Sequence, residues 1–148
     1  MNRTTLSFLS ISLFLCLSFG AHTKKLLLYH GGNWIGDGAA YGPFRDEQYP
    51  GGKNPSRLEL REDLHIISTH WNWIRVYGSR GITSDILQII REDNLNIKVM
   101  LGAWISREEG FPNAIASNKE EINEAIKLAN KFPDVVNSIN IGNETMIY

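Results

Sequence analysis

Of the 148 residues only one is cysteine, Cys16. A disulfide framework is therefore excluded, and so is any thiolate metal cluster. Charge of either sign is also lacking in excess. Fifteen basic residues face 16 acidic ones, a net charge of −1. That leaves no electrostatic case for nucleic acid or an anionic membrane as partner. No Gly-x-Gly-x-x-Gly follows an apolar strand-like run, so a dinucleotide site is unsupported and no cofactor is expected. His65 and His70 come without a carboxylate or thiol pattern, so no metal is expected either. Low-complexity segments, charge blocks and domain linkers are absent too.

What is present first is an unusual beginning. Arg3 is the one charged side chain of residues 1–20, and Leu6 to Phe19 is apolar apart from small serines. Ser18-Phe19-Gly20 then offers small residues at a cleavage point. This layout is that of a secretory signal peptide, and the apolar run is short for a span of roughly 20 residues. Cys16 follows Leu15 rather than a small residue, which argues against lipid attachment. Cleavage after Gly20 would leave residues 21–148, with 14 basic and 16 acidic side chains. The expected address is secreted, with no membrane contact after cleavage.

The remainder alternates between two periods. Lys24–His30 holds a short apolar run, a possible strand, and Gly38–Tyr41 reads as the end of the first strand of the sheet or barrel. Ser56 and Glu59 form a capping box ahead of a helix whose Leu60, Leu64 and Ile67 share one face. Trp73–Gly78 is strand-sized. Thr83 or Ser84 then caps a helix with Ile86, Leu87 and Ile90 inward. Ile97–Gly102 is the next strand. Ser117 and Glu120 make a second capping box, with Ile122, Ala125, Ile126 and Ala129 as the apolar face and Pro133 as the stop. Val135–Ile141 is a β-branched run that ends in Gly142-Asn143-Glu144. Strand and helix in this alternation specify an α/β fold with a parallel sheet and right-handed crossovers. An open doubly wound sheet and part of a (β/α)₈ barrel both fit.

In either architecture functional groups collect at the C-terminal ends of the strands. The residues at those ends are Tyr41, Tyr77, Trp104, Asn143 and Glu144. Flat rings stack on the C–H faces of pyranoses, and polar neighbours bond the hydroxyls. A glutamate among apolar strand ends has its charged form disfavoured and suits general-acid work. Retaining glycoside hydrolysis needs a second carboxyl roughly 5–5.5 Å away. Asp46, Glu47, Glu108 and Glu109 lie in loops, and Asp85, Glu92 and Asp93 lie in a helix. None ends a strand, so no nucleophile is assigned.

The segments Ala40-Tyr41-Gly42-Pro43-Phe44-Arg45-Asp46, Arg61-Glu62-Asp63-Leu64, Ile74-Arg75-Val76-Tyr77-Gly78, Lys98 to Trp104 and Gly142-Asn143-Glu144 carry a family resemblance. In that order they resemble the N-terminal half of glycoside hydrolase family 17, in its microbial β-1,3-glucanase and glucanosyltransferase branch. The resemblance implies a (β/α)₈ TIM barrel of which about the first four βα units are present. It implies Glu144 as catalytic acid/base, with Asn143 beside it. Arg75 would orient the nucleophile, and Tyr77, Tyr41, Arg45 and Trp104 would line the substrate groove. The family's nucleophile follows a seventh strand, beyond these residues, so the chain alone is expected not to hydrolyse β-1,3-glucan. The alternatives are a β-1,3-glucanosyltransferase with the same site and a non-catalytic carbohydrate-binding half barrel. Open sheet edges would pair with a missing C-terminal half or a second copy. Asn143-Glu144-Thr145 is also a glycosylation sequon, taken as coincidental because a glycan there would block the site.

Overall fold

The computed structural model describes residues 29–30, 33–34, 38–143 and 145. The expected leader and Glu144 lie outside the described residues. Of the strand expected over Lys24–His30, only β1 (Tyr29–His30) is described; it pairs antiparallel with β2 (Asn33–Trp34). The rest runs β3 (Gly38–Ala40), α1 (Arg57–Ser68), β4 (Trp73–Val76), α2 (Thr83–Glu92), β5 (Lys98–Ala103), α3 (Ala114–Lys131) and β6 (Val136–Ile141).

These four longer-range strands form one parallel sheet in the order β3-β4-β5-β6. The order follows the chain and never reverses among the described strands. A doubly wound sheet would reverse and carry helices on both faces. Here Leu60 and Leu64 of α1, Ile86, Leu87 and Ile90 of α2, and Ala125 and Leu128 of α3 share one buried cluster. Ile74 and Val76 of β4 and Val99, Leu101 and Ala103 of β5 supply the sheet side of that cluster. Those strand residues alternate, so the helices cover one face of the sheet. The fold is α/β, built of successive βα units.

Local chemistry explains the element ends. Ser56 accepts from the Glu59 N–H at 3.2 Å, and the Glu59 carboxylate accepts from the Ser56 N–H at 2.7 Å, as a capping box requires. The other two expected caps did not form. At α2 the Thr83 hydroxyl instead donates to the Gly78 carbonyl at 2.8 Å, tying the helix to the end of β4. α3 starts a turn early, after Asn113, which leaves Ser117 and Glu120 inside the helix, where both bond Arg80. Asn94 closes α2 with φ of 49°, a left-handed residue that asparagine tolerates.

Trp73, Arg75, Met100, Ser138 and Asn140 alternate to the face opposite the helices. Gly102 lies in the same register, and a Cβ there would collide with the carbonyl oxygens of Val76 and Tyr77. β6 is an edge. Its Ile139 and Ile141 share register with Leu101 and Ala103 but are 38% and 66% exposed.

Candidate functional site

A parallel sheet delivers every strand's C-terminal end to the same side, and the rim is built there residue by residue. After β3, the Tyr41 N–H donates to the Arg75 carbonyl at 2.9 Å, which continues the strand pairing by one residue. The Tyr41 ring is buried, and its hydroxyl donates to Asp63 on α1 at 3.0 Å. Burial, then the Asp63 charge, push the phenol well above its usual range. Arg45 turns onto α1 as well. Its guanidinium donates to Asp63 at 2.6 Å, to Glu62 at 2.8 Å and to the Glu59 carbonyl at 3.1 Å. Arg45 therefore sits on the helix side of the loop, away from Trp104 and Asn143.

β4 and β6 meet differently. The Arg75 guanidinium carbon lies 4.9 Å from the Tyr77 ring centroid, and one Nη donates to the Asn143 side-chain carbonyl at 2.8 Å. Arg75 Nε is buried without a partner. Among the described residues no carboxylate accepts from this arginine. Asn143 is delivered by a turn at Gly142, whose φ is 83° and whose N–H donates to the Ala103 carbonyl at 2.9 Å. Glycine is suited to that conformation.

Between these ends lies a cleft of about 930 Å³, lined by Tyr41, Tyr77, Trp104 and Asn143 among others. A recess of about 600 Å³ adjoins it, lined by Arg107, Phe111 and Ser117. Trp104 and Asn143 line both. Trp104 is 48% exposed and Phe111 60%, so apolar rings face solvent along the cleft and its recess. Four of the residues singled out from sequence (Tyr41, Tyr77, Trp104 and Asn143) thus come together around the cleft. Arg75 supports two of them from below.

The sequence reading missed Glu121. Its side chain is 3% exposed, on the inward face of α3. The carboxylate accepts from the Ser79 N–H at 2.6 Å, the Trp104 N–H at 3.2 Å and Arg80 Nε at 2.7 Å. Burial works against the charge, but these hydrogen bonds outweigh it and leave the acid below the usual glutamate value. Asn118, one turn earlier, bridges the Ser106 N–H and carbonyl at 2.8 and 2.9 Å. The buried stripe of α3 is Ala114, Asn118, Glu121, Ala125 and Leu128. The expected apolar stripe is rotated from it, and Ile126 is 50% exposed. The signal was the helical spacing of Ala114, Ala125 and Leu128, with two polar residues filling the gap.

His65 Nε2 lies 2.8 Å from Asp93, and His70 packs edge-on against Trp71. Among the described residues no cluster of His, Cys, Asp or Glu is arranged to hold a metal ion. No protein-family model, curated protein or solved structure matches the chain.

Proposed function

We propose that this chain contributes the first four strand–helix units of a (β/α)₈ barrel resembling glycoside hydrolase family 17, and that its rim binds β-1,3-glucan. One observation carries the proposal: Tyr77, Trp104 and Asn143 come from three successive strand ends and border one cleft. The unreversed strand order supports the barrel, since each added unit advances the sheet in one direction. Trp104 offers a stacking face, and Asn143, held by Arg75, offers an oriented amide for a sugar hydroxyl. Arg75 lacks a carboxylate partner among the described residues, which suits an arginine that faces a substrate or an acidic group supplied from elsewhere. Glu144 follows Asn143 directly and is the candidate general acid/base. Export to the cell exterior or wall fits the leader-like residues 1–20. The exposed Ile139 and Ile141 on β6 suit cover by further units of the barrel or by a second copy.

A non-catalytic binding role is the second reading, and a specific observation favours it. Glu121 is the one carboxylate among the described residues lining the cleft, and its oxygens are occupied by backbone and arginine donors. A retaining mechanism, whether water or sugar accepts the intermediate, needs a second carboxylate free to attack.

The test is co-sedimentation with insoluble β-1,3-glucan, with cellulose as control. Wild type pellets with the β-1,3 polymer, and Trp104→Ala weakens that by about tenfold or more, the value of one lost stacking platform. Pelleting that Trp104→Ala leaves unchanged would remove the rim from the account. Glu144→Gln leaves binding intact in both readings, and in a catalytically complete protein it abolishes turnover.

A further inference from the structure

Trp104 lies one residue past the end of β5, with nearly half its surface in solvent. A residue in that position ordinarily drifts with its loop. Here its backbone N–H is held by Glu121 from α3, at 3.2 Å. The same Oε1 holds the Ser79 N–H, just past the end of β4, at 2.6 Å. The other oxygen takes Arg80 Nε, and the Ser79 hydroxyl donates back to the Glu121 carbonyl at 2.7 Å. A Cβ on Gly78 would stand only 3.2 Å from Oε1, so the glycine keeps the carboxylate's seat clear. One buried acid thereby ties two neighbouring strand ends to one helix. Charge-assisted bonds of this kind are the strong ones, and the carboxylate that accepts them is itself almost fully buried.

We propose that Glu121 is a positioning residue for ligand binding: it fixes the backbone at Trp104, and so the angle at which that indole meets a sugar. This rests on the carbohydrate reading of the rim. Glu121 itself touches no ligand, because its oxygens are filled by protein donors. A rigid platform loses less freedom on binding than a mobile one, so the clamp acts on affinity as well as on stability.

The experiment compares wild type, Trp104→Ala and Glu121→Gln, titrated with β-1,3-linked glucohexaose by calorimetry well below each melting temperature. Amide proton shifts of Ser79 and Trp104 are followed in parallel. Glu121→Gln keeps the size of the side chain but removes the charge and turns one acceptor into a donor. The expected result is an affinity at least about fivefold weaker in the folded variant, with both amide protons moving upfield. A purely structural role would lower the melting temperature, move those protons and leave the affinity of the folded protein unchanged; that result overturns the proposal. Wild type that fails to bind the hexaose removes the carbohydrate reading, and this inference with it. Should Glu121→Gln not fold, hydrogen exchange on wild type decides. A Trp104 amide protected as well as those of β5 supports the clamp, and one exchanging as fast as exposed loop amides contradicts it.

Discussion

α1 and α2 meet through ion pairs at the surface, while α3 meets the strand ends through one carboxylate, Glu121, whose side chain is only 3% exposed. Across the first pair, Arg57 reaches Asp85 and Glu92, Arg61 reaches Glu92 and Asp93, and His65 reaches Asp93. All of these side chains but Asp93 remain about one-third or more in solvent, and the Leu60, Leu64, Leu87 and Ile90 layer lies beneath them. On α3, Glu121 and Asn118 occupy positions that apolar residues would fill on a plain amphipathic helix. The comparison separates two uses of charge. Exposed pairs decorate an interface that is already apolar, whereas buried acceptors set the course of loops that have no ladder of their own.

The largest effect is expected from Glu121→Ala. It leaves the Ser79 and Trp104 N–H groups and Arg80 Nε without their acceptor, while the other Arg80 nitrogens keep Glu120 and Ser117. A loss of about 2–4 kcal/mol is expected in denaturant unfolding, the cost of two backbone donors left without an acceptor. A loss close to that of a surface mutation would mean that water replaces the carboxylate freely.

The pH dependence comes next. Glu121 sits below its usual value of 4.5 in the folded chain. A depressed carboxylate stabilises the fold above the unfolded pKa, and the contribution fades as pH falls through the folded value. Stability should therefore decline as pH drops below about 4.5, and Glu121→Gln should flatten part of that decline. Asp93 and Asp134 are lowered in the same direction, by His65 with Arg61 and by Arg91 respectively, the first half-buried and the second exposed. An acid profile that Glu121→Gln leaves untouched would assign the effect to those surface pairs instead.

The smallest effect is expected from Glu92→Gln. It cuts the contacts to Arg57 and Arg61, yet thermal melts should move within the scatter of repeated measurements, because solvent screens the pairs. A clear drop would show that the α1–α2 charges act as a network.

The parts of the fold legible in the sequence were those set by neighbours in the chain. Ser56 and Glu59 are three residues apart, so their box is visible as a pattern. Short apolar runs that end in glycine marked β4, β5 and β6, and the residues following them marked the rim. The illegible parts depend on distant partners. Glu121 meets Ser79 across 42 residues, and hydrophobic periodicity passes over a glutamate when it assigns an inward face. Thr83 serves the Gly78 carbonyl rather than its own helix. Arg45, expected along the groove, lies against Glu59, Glu62 and Asp63 on α1. Three acidic residues within two turns of one helix were a local signal that such an arginine would be drawn there.

If the rim reading is right, the C-terminal strand ends are where a sugar binds. Amide-resolved NMR of the protein titrated with β-1,3-linked glucohexaose tests it most directly. Shifts concentrated at Tyr77, Trp104 and Asn143 and in the loop carrying Phe111 are expected. Shifts confined to the exposed faces of α1 and α2, or none at saturating sugar, would contradict it.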